Sequence, residues 1–228
     1  LEEIFQLSDK IAVLNNGNLS EVLSANEISA TNVGLLMGGN ERFGVYNKMQ
    51  KLLAASLGAQ ETTLYRMVSS YAMFANGGER VAPTMVDRVQ DRFGRTIYKH
   101  DKRKCTNCEN NVLQMGKSPY INSNRERVLD PLTAFRLQSM MRGVVERGTA
   151  KSVEIKGVEI AGKTGTTNDA KDVWFVGFTR NIVAGCFIGF DTPKPLRKGA
   201  SGGGMCGPVF KEFMIEAIKK YGSGSFSQ

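Results

Sequence analysis

The sequence predicts an α+β fold in which helices pack on an antiparallel sheet. Two observations carry this. Three strand-like runs, 158–163, 173–178 and 182–190, follow one another in the last third of the chain. Only Thr179-Arg180-Asn181 parts the final two, a connection short enough to make them antiparallel partners. Around them, residues 62–76 carry apolar side chains at helical spacing and 208–221 read as a closing amphipathic helix. With 228 residues, 41% hydrophobic and 23% charged, the chain can bury a proper core.

Taken in order, residues 11–14 read as a strand, Asn15-Asn16-Gly17 as a turn, and the residues beyond as a second short strand. Asn-Gly between apolar runs is a hairpin signal, because both residues tolerate the left-handed backbone a tight turn needs. In 62–76, Leu64, Met67, Val68, Tyr71, Ala72 and Ala75 form one stripe, and Asn76-Gly77-Gly78 supplies a left-handed stop. A hairpin is expected next, from 85–90 and 95–98 around Asp91-Arg92-Phe93-Gly94. Residues 99–123 are basic, polar and read as an irregular solvated excursion. Asp130-Pro131 places a side-chain cap and a first-turn proline ahead of a helix that closes at Gly148. Pro208 opens the last helix, and the tail 222–228 is expected to be disordered.

Thirty Lys+Arg against 22 Asp+Glu give a net charge of +8, which favours polyanionic surroundings: nucleic acid, anionic lipid or cell-wall polymer. The distribution says more. Residues 1–40 hold five carboxylates against Lys10 alone, a net of −4, so the other 188 residues carry +12 and every arginine. That break predicts a boundary near residue 40. No apolar run approaches the roughly 20 residues a membrane helix needs, and the start lacks a signal-peptide pattern. No membrane segment or targeting signal is therefore expected.

Cys105 and Cys108 form a Cys-x-x-Cys with His100 five residues ahead. The simplest reading is a local loop pair, free or oxidised; a zinc site needs a fourth ligand, and His100 is the single histidine. Neither metal nor cofactor is expected. Cys186 reads as a small core residue, and Cys206 in its Gly-rich loop has no assigned role.

Two motifs share Lys163. Read backwards, residues 157–164, GVEIAGKT, fit the phosphate-loop pattern letter for letter. The physics opposes it: the preceding run 151–156 alternates polar and apolar, and Gly165-Thr166-Thr167 does not start a helix whose N–H groups could converge on phosphate. Read forwards, Lys163-Thr164-Gly165-Thr166-Thr167 is a Lys-Thr-Gly strand, the kind found beside a Ser-x-x-K nucleophile and a second Ser/Asn motif.

The segment 161–178, AGKTGTTNDAKDVWFVGF, resembles the corresponding strand pair of class A penicillin-binding proteins. So, in the same order, do Glu41-Arg42-Phe43-Gly44-Val45, Ser56-Leu57-Gly58-Ala59, 71–78, 87–98, Asp191-Thr192-Pro193 and the Gly-rich turn 200–204. The resemblance covers residues 41 to about 221. It implies a partial β-lactamase/transpeptidase-like fold and peptidoglycan D,D-transpeptidase chemistry, the cross-linking of stem peptides by acyl transfer. It also implies peptidoglycan stem peptides and β-lactams as partners, no nucleic acid, and a place on the periplasmic face of the bacterial inner membrane. By resemblance, Thr164 and Thr166 hold the substrate carboxylate, with Gly165 and Thr167 in the same binding edge. The Thr166 N–H serves as an oxyanion donor, and Lys163 supplies positive charge and bonds the second-motif serine. Period-2 geometry agrees, since residues two apart on a strand share a face. Trp174 and Phe175 are expected to pack the sheet, and Asp169 with Lys171 to form a solvated turn.

No serine in the chain has a lysine three residues on, so the acyl-enzyme nucleophile is missing from this sequence. Ser24-Ala25-Asn26 has the letters of the second motif, but its neighbours differ from the family and it reads as chance. Residues 1–39 resemble the C-terminal end of a sugar-importer ABC-transporter ATPase, which predicts a chimera or gene fragment joined near 39–41. A sheet short of its N-terminal strands is expected to expose apolar surface and to be marginally stable. Two other functions stay open: a noncatalytic half-domain binding cell wall or protein, and nucleotide binding at 157–164.

Overall fold

The structure, a computed structural model, describes residues 10–11, 14–15, 18–19, 23–24, 43–47, 60–108, 118–122 and 125–226. Four short strands come first: β1 (Lys10–Ile11), β2 (Leu14–Asn15), β3 (Asn18–Leu19) and β4 (Leu23–Ser24). Asn15 pairs with Asn18, the hairpin expected around Asn-Gly, and β1 pairs with β4 outside it. The turn residues 16–17, Ala25-Asn26, the junction at 39–41, Glu41-Arg42 and Ser56-Leu57-Gly58-Ala59 lie outside the described residues.

Helix α1 (Leu64–Ala75) starts at Thr63, whose hydroxyl accepts from the Arg66 N–H at 3.3 Å. Its stripe divides the work of packing: Leu64 and Val68 close on Gly185, while Tyr71 and Ala75 join Phe178. Met67 covers Val45 and Tyr46. Ser70 and Met73, outside the expected stripe, are also buried, and the Ser70 hydroxyl is satisfied by the Met67 carbonyl at 2.8 Å. Gly77 and Gly78 take the left-handed backbone that ends the helix. At Gly78 a Cβ would sit 2.6 Å from the Leu129 carbonyl oxygen, so only glycine fits.

Residues 82–126 form a unit of their own. There β5 (Arg88–Gln90) pairs with β6 (Thr96–Lys99), and the Asp91 carboxylate holds the turn by accepting from the Phe93 and Arg95 N–H groups. The stretch expected to be wholly irregular contains one more pairing, β7 (Cys105–Thr106) with β8 (Tyr120–Ile121). Two residues a side carry too little periodicity to be seen in sequence.

The rest of the chain, with 10–81, makes the other unit. Asp130 caps α2 (Pro131–Glu146) by accepting from the Leu132 and Thr133 N–H groups. The three C-terminal strands are β9 (Ala161–Thr166), β10 (Asp172–Phe178) and β11 (Val183–Gly189), antiparallel in the order β11-β10-β9. The first begins three residues later than the expected 158–163 and runs on through Thr166. Gly157, at φ 79°, turns the chain just before it, and pairing starts only where Ala161 meets Phe178. One face packs on α1. The other carries Val173 and Phe175, both fully buried, under α3 (Gly207–Tyr221), where Phe210 meets Phe175 edge-on at 4.7 Å.

A π-helical turn, Gly202–Cys206, leads into α3 and carries Cys206 into the core. Its thiol donates to the Val173 and Cys186 carbonyls, and burial, reinforced by the neighbouring Cys186 thiol, pushes it up to about 12. The half-buried Cys186 sits on β11 against the same cluster, as expected of a small core residue. The end of the chain departs from expectation: residues 222–226 are not loose. Phe226 is buried against Phe178, and Glu159 accepts from the Ser225 hydroxyl and the Phe226 N–H, both at 2.9 Å. One aromatic residue in a polar, Gly/Ser-rich tail gives no periodicity from which docking could be foreseen. Apolar surface does remain exposed, at Leu132, Phe135 and Met140 on α2, Val209 and Phe213 on α3, and Phe187 and Phe190 by β11. Among the described residues no helix is long and apolar enough to cross a membrane.

Candidate active site

β9 lies at the edge of its sheet and pairs only with β10 among the described residues. Its alternation decides what faces where. Thr164 stands opposite Phe175 and Thr166 opposite Val173, so both threonines share the face that β10 turns to the α3 core. The Thr167 N–H bonds the Asp172 carbonyl at 3.2 Å. In an antiparallel ladder successive N–H groups point alternately toward and away from the partner, so those of Thr166 and Thr164 point to the free edge.

Both hydroxyls are held. Thr164 Oγ1 is 2.8 Å from Thr149 Oγ1, and Thr166 Oγ1 accepts from the Gly202 N–H at 3.3 Å. The π turn is itself tied down, since the Ser152 hydroxyl donates to the Gly203 carbonyl at 2.6 Å. It lies so close that a Cβ on Gly202 would collide with the Trp174 and Gly165 carbonyl oxygens, and one on Gly203 with that of Thr149. Thr149, Ser152 and the glycine contacts were not singled out from sequence. Thr149 lies 15 residues from Thr164 and follows a helix end, so nothing in local spacing connects them.

Lys163 is exposed and opposite Val176, with its ammonium on the Thr164 carbonyl at 2.9 Å. Gly165 faces Trp174, whose Cβ would lie 3.1 Å from any Cβ added there. Close packing on Trp174 thus favours glycine, alongside the open approach expected of it. Thr167 stands apart from the other four residues: its hydroxyl accepts from the Asp172 N–H at 2.9 Å and closes the turn between β9 and β10. Trp174 and Phe175 pack as expected, Trp174 tilted on Phe187 at 4.7 Å. Asp169 and Lys171 form an exposed pair at 4.0 Å in the turn.

The phosphate-loop reading of 157–164 does not survive. Gly162, Lys163 and Thr164 are extended and paired with Gly177, Val176 and Phe175, and no helix starts behind them. Ser24 lies in β4, while Ala25 and Asn26 fall outside the described residues. Among the described residues no three His, Cys, Asp or Glu side chains gather in a way that could hold a metal ion. Cys105 and Cys108 are joined as a disulfide.

The sequence model described as "Penicillin binding protein transpeptidase domain" matches residues 15–215. The chain belongs to that family. Penicillin-binding protein 1A of Rickettsia bellii is 42% identical over 194 residues, covering 83% of this chain and 24% of the relative. Penicillin-binding protein 1A of Neisseria gonorrhoeae is 35% identical over 207 residues, covering 89% and 24%. The chain thus spans about a quarter of the curated relatives it matches. Among solved structures, penicillin-binding protein 1A from Haemophilus influenzae aligns at a TM-score of 0.63 and 23% identity, over 97% of this chain and 40% of that one. PonA1 from Mycobacterium tuberculosis, in complex with penicillin V, aligns at 0.64 and 18%, over 96% and 64%. At those identities the likeness establishes the transpeptidase fold. The family match begins at residue 15 and so takes in most of residues 1–39, for which an ATPase tail was expected.

Proposed function

We propose that this chain carries the substrate-carboxylate seat and oxyanion edge of a peptidoglycan D,D-transpeptidase, the penicillin-sensitive enzyme that cross-links stem peptides. One observation supports this above the others: Thr164 and Thr166 present two anchored hydroxyls on one strand, with the Thr166 N–H directed to the free edge. A C-terminal carboxylate fits between two hydroxyls beside the Lys163 ammonium, and an edge N–H is the donor a tetrahedral oxyanion needs. Gly165 keeps the approach clear, and Thr167 holds the turn that shapes it. The relatives are penicillin-binding proteins, which points to β-lactams as a second ligand class. A periplasmic location on the bacterial inner membrane is part of the same proposal and rests on the family resemblance.

In this reading the groups present bind and orient but do not turn over, because the sequence contains no Ser-x-x-K. Titrating the 15N-labelled chain with a peptide ending in D-alanyl-D-alanine should shift the Thr164, Gly165 and Thr166 amides, while intact mass after penicillin shows no adduct. Unmoved amides at millimolar peptide, or a stable adduct, would overturn it. For residues 1–39 we retain descent from an ATPase tail as a proposal about ancestry, supported by the sequence there and the charge break near residue 40. A genomic read across codons 30–50 that finds two separate loci would make the junction an assembly artefact.

A further inference from the structure

The Cys105–Cys108 pair has no part in the site on β9, and its setting differs from that of the chain's other two cysteines. Both members are exposed, together with Thr106 and Asn107 between them. Asn107 takes a left-handed backbone, φ 61°, and both sulfurs turn toward the Thr106 carbonyl. Neither cysteine belongs to a hydrophobic cluster among the described residues. With a separation of three, the bond constrains little chain and contributes correspondingly little to holding the fold. A bond that is exposed, short-range and outside any hydrophobic cluster can open and close without unfolding the molecule.

The surrounding charge is mostly positive: residues 99–109 hold four Lys and Arg against Asp101 and Glu109. Lys99, Lys102, Arg103 and Lys104 stand immediately before Cys105, with Asp101 as the sole carboxylate in that run. Asp101 is taken up by Arg103, at 2.6 Å, so Lys102 and Lys104 are the cations next to Cys105 in sequence that this ion pair does not engage. Nearby cations stabilise a thiolate over a thiol, and the thiolate is the species that attacks or leaves in exchange. Cys206, by contrast, is fully buried among apolar side chains.

We infer that Cys105–Cys108 is a reversible thiol–disulfide exchange site whose partner is a protein dithiol with an acidic surface. A donor thiolate attacks one cysteine sulfur, the Cys105–Cys108 bond breaks, and the released thiolate takes a proton. The donor's second thiolate then attacks the mixed disulfide, so that the donor leaves oxidised and this chain holds a dithiol. Two electrons and two protons are transferred. The inference stands independently of the transpeptidase reading.

The full chain equilibrated in graded mixtures of reduced and oxidised glutathione, then alkylated with iodoacetamide and mapped by mass, tests it. Cys105 and Cys108 should pass from unlabelled to labelled within those mixtures while the melting temperature holds. Once reduced, they should alkylate at pH 7 about tenfold faster than free glutathione. Lys102→Glu with Lys104→Glu should slow that reaction several-fold, and Cys108→Ser should trap glutathione on Cys105. Labelling that appears only once urea unfolds the chain would make the bond a structural staple. Zinc uptake by the reduced chain that protects both cysteines would make it a metal site. Either result overturns exchange.

Discussion

Thr164 and Thr166 are legible in sequence as a pair on one strand face, yet what holds each hydroxyl in place is not. Thr149 Oγ1, at 2.8 Å from Thr164 Oγ1, comes from the turn after α2, and the Gly202 N–H comes from the turn before α3. A free threonine hydroxyl samples three rotamers; a partner at hydrogen-bond distance selects one. Thr149→Val should therefore weaken binding of a D-alanyl-D-alanine peptide by about fivefold, the worth of roughly 1 kcal/mol. Thr149→Ser, which keeps the hydroxyl, should restore it. Equal affinities for wild type and the valine variant in the NMR titration would leave Thr149 with no part in the seat.

At the scale of elements, the docking of the chain end depends on one carboxylate. The Phe226 N–H, then the Ser225 hydroxyl, donate to Glu159, and Arg142 stands beside it at 2.8 Å; together they hold its pKa below the ordinary 4.5. A carboxylate whose pKa is lowered by folding stabilises the fold fully above its unfolded value, and loses that contribution as pH falls through the folded one. Residues 222–226 should accordingly stay docked at pH 6 and come away only as pH falls below the ordinary carboxylate range, moving the Phe226 amide resonance toward its unfolded position. Glu159→Gln should reproduce the release at pH 7. A Phe226 resonance unmoved between pH 6 and pH 3 would show that the buried ring alone holds the segment.

For the molecule as a whole, residues 82–126 enter and leave the larger unit at neighbouring points. Glu79 and Arg127 form an antiparallel bridge, strengthened by their ion pair at 3.1 Å and by Arg127 on the Gly77 carbonyl. Among the described residues, none of 82–126 belongs to the hydrophobic clusters around Phe175, Phe178 and Val45. Replacing 82–126 with a short Gly/Ser linker should change unfolding free energy by about 1 kcal/mol or less, because closing a short loop there costs little. Urea unfolding checks this, and a loss of cooperative unfolding would show that the insertion stabilises the larger unit.

Local chemistry made several elements readable in advance. Asp130-Pro131 announces α2 because a carboxylate cap and a proline act within one turn; Asn-Gly announces the β2–β3 hairpin because its backbone preference is its own. Lys163-Thr164-Gly165-Thr166 announces a strand whose alternate threonines share a face, because a period of two acts within a few residues; its reading as a site rests on the resemblance of the sequence around it. Thr149 beside Thr164, Gly202 above Gly165, Cys206 in the core and Phe226 on Phe178 are different in kind. Each joins residues 15 or more apart, through contacts that exist only once the sheet, α2 and α3 have closed together. Residue types and short-range spacing were enough to determine the α+β class, the helix caps and the Lys-Thr-Gly strand. Which hydroxyl meets which partner, and which end of the chain docks, follows from long-range packing, and only the tertiary structure decided it.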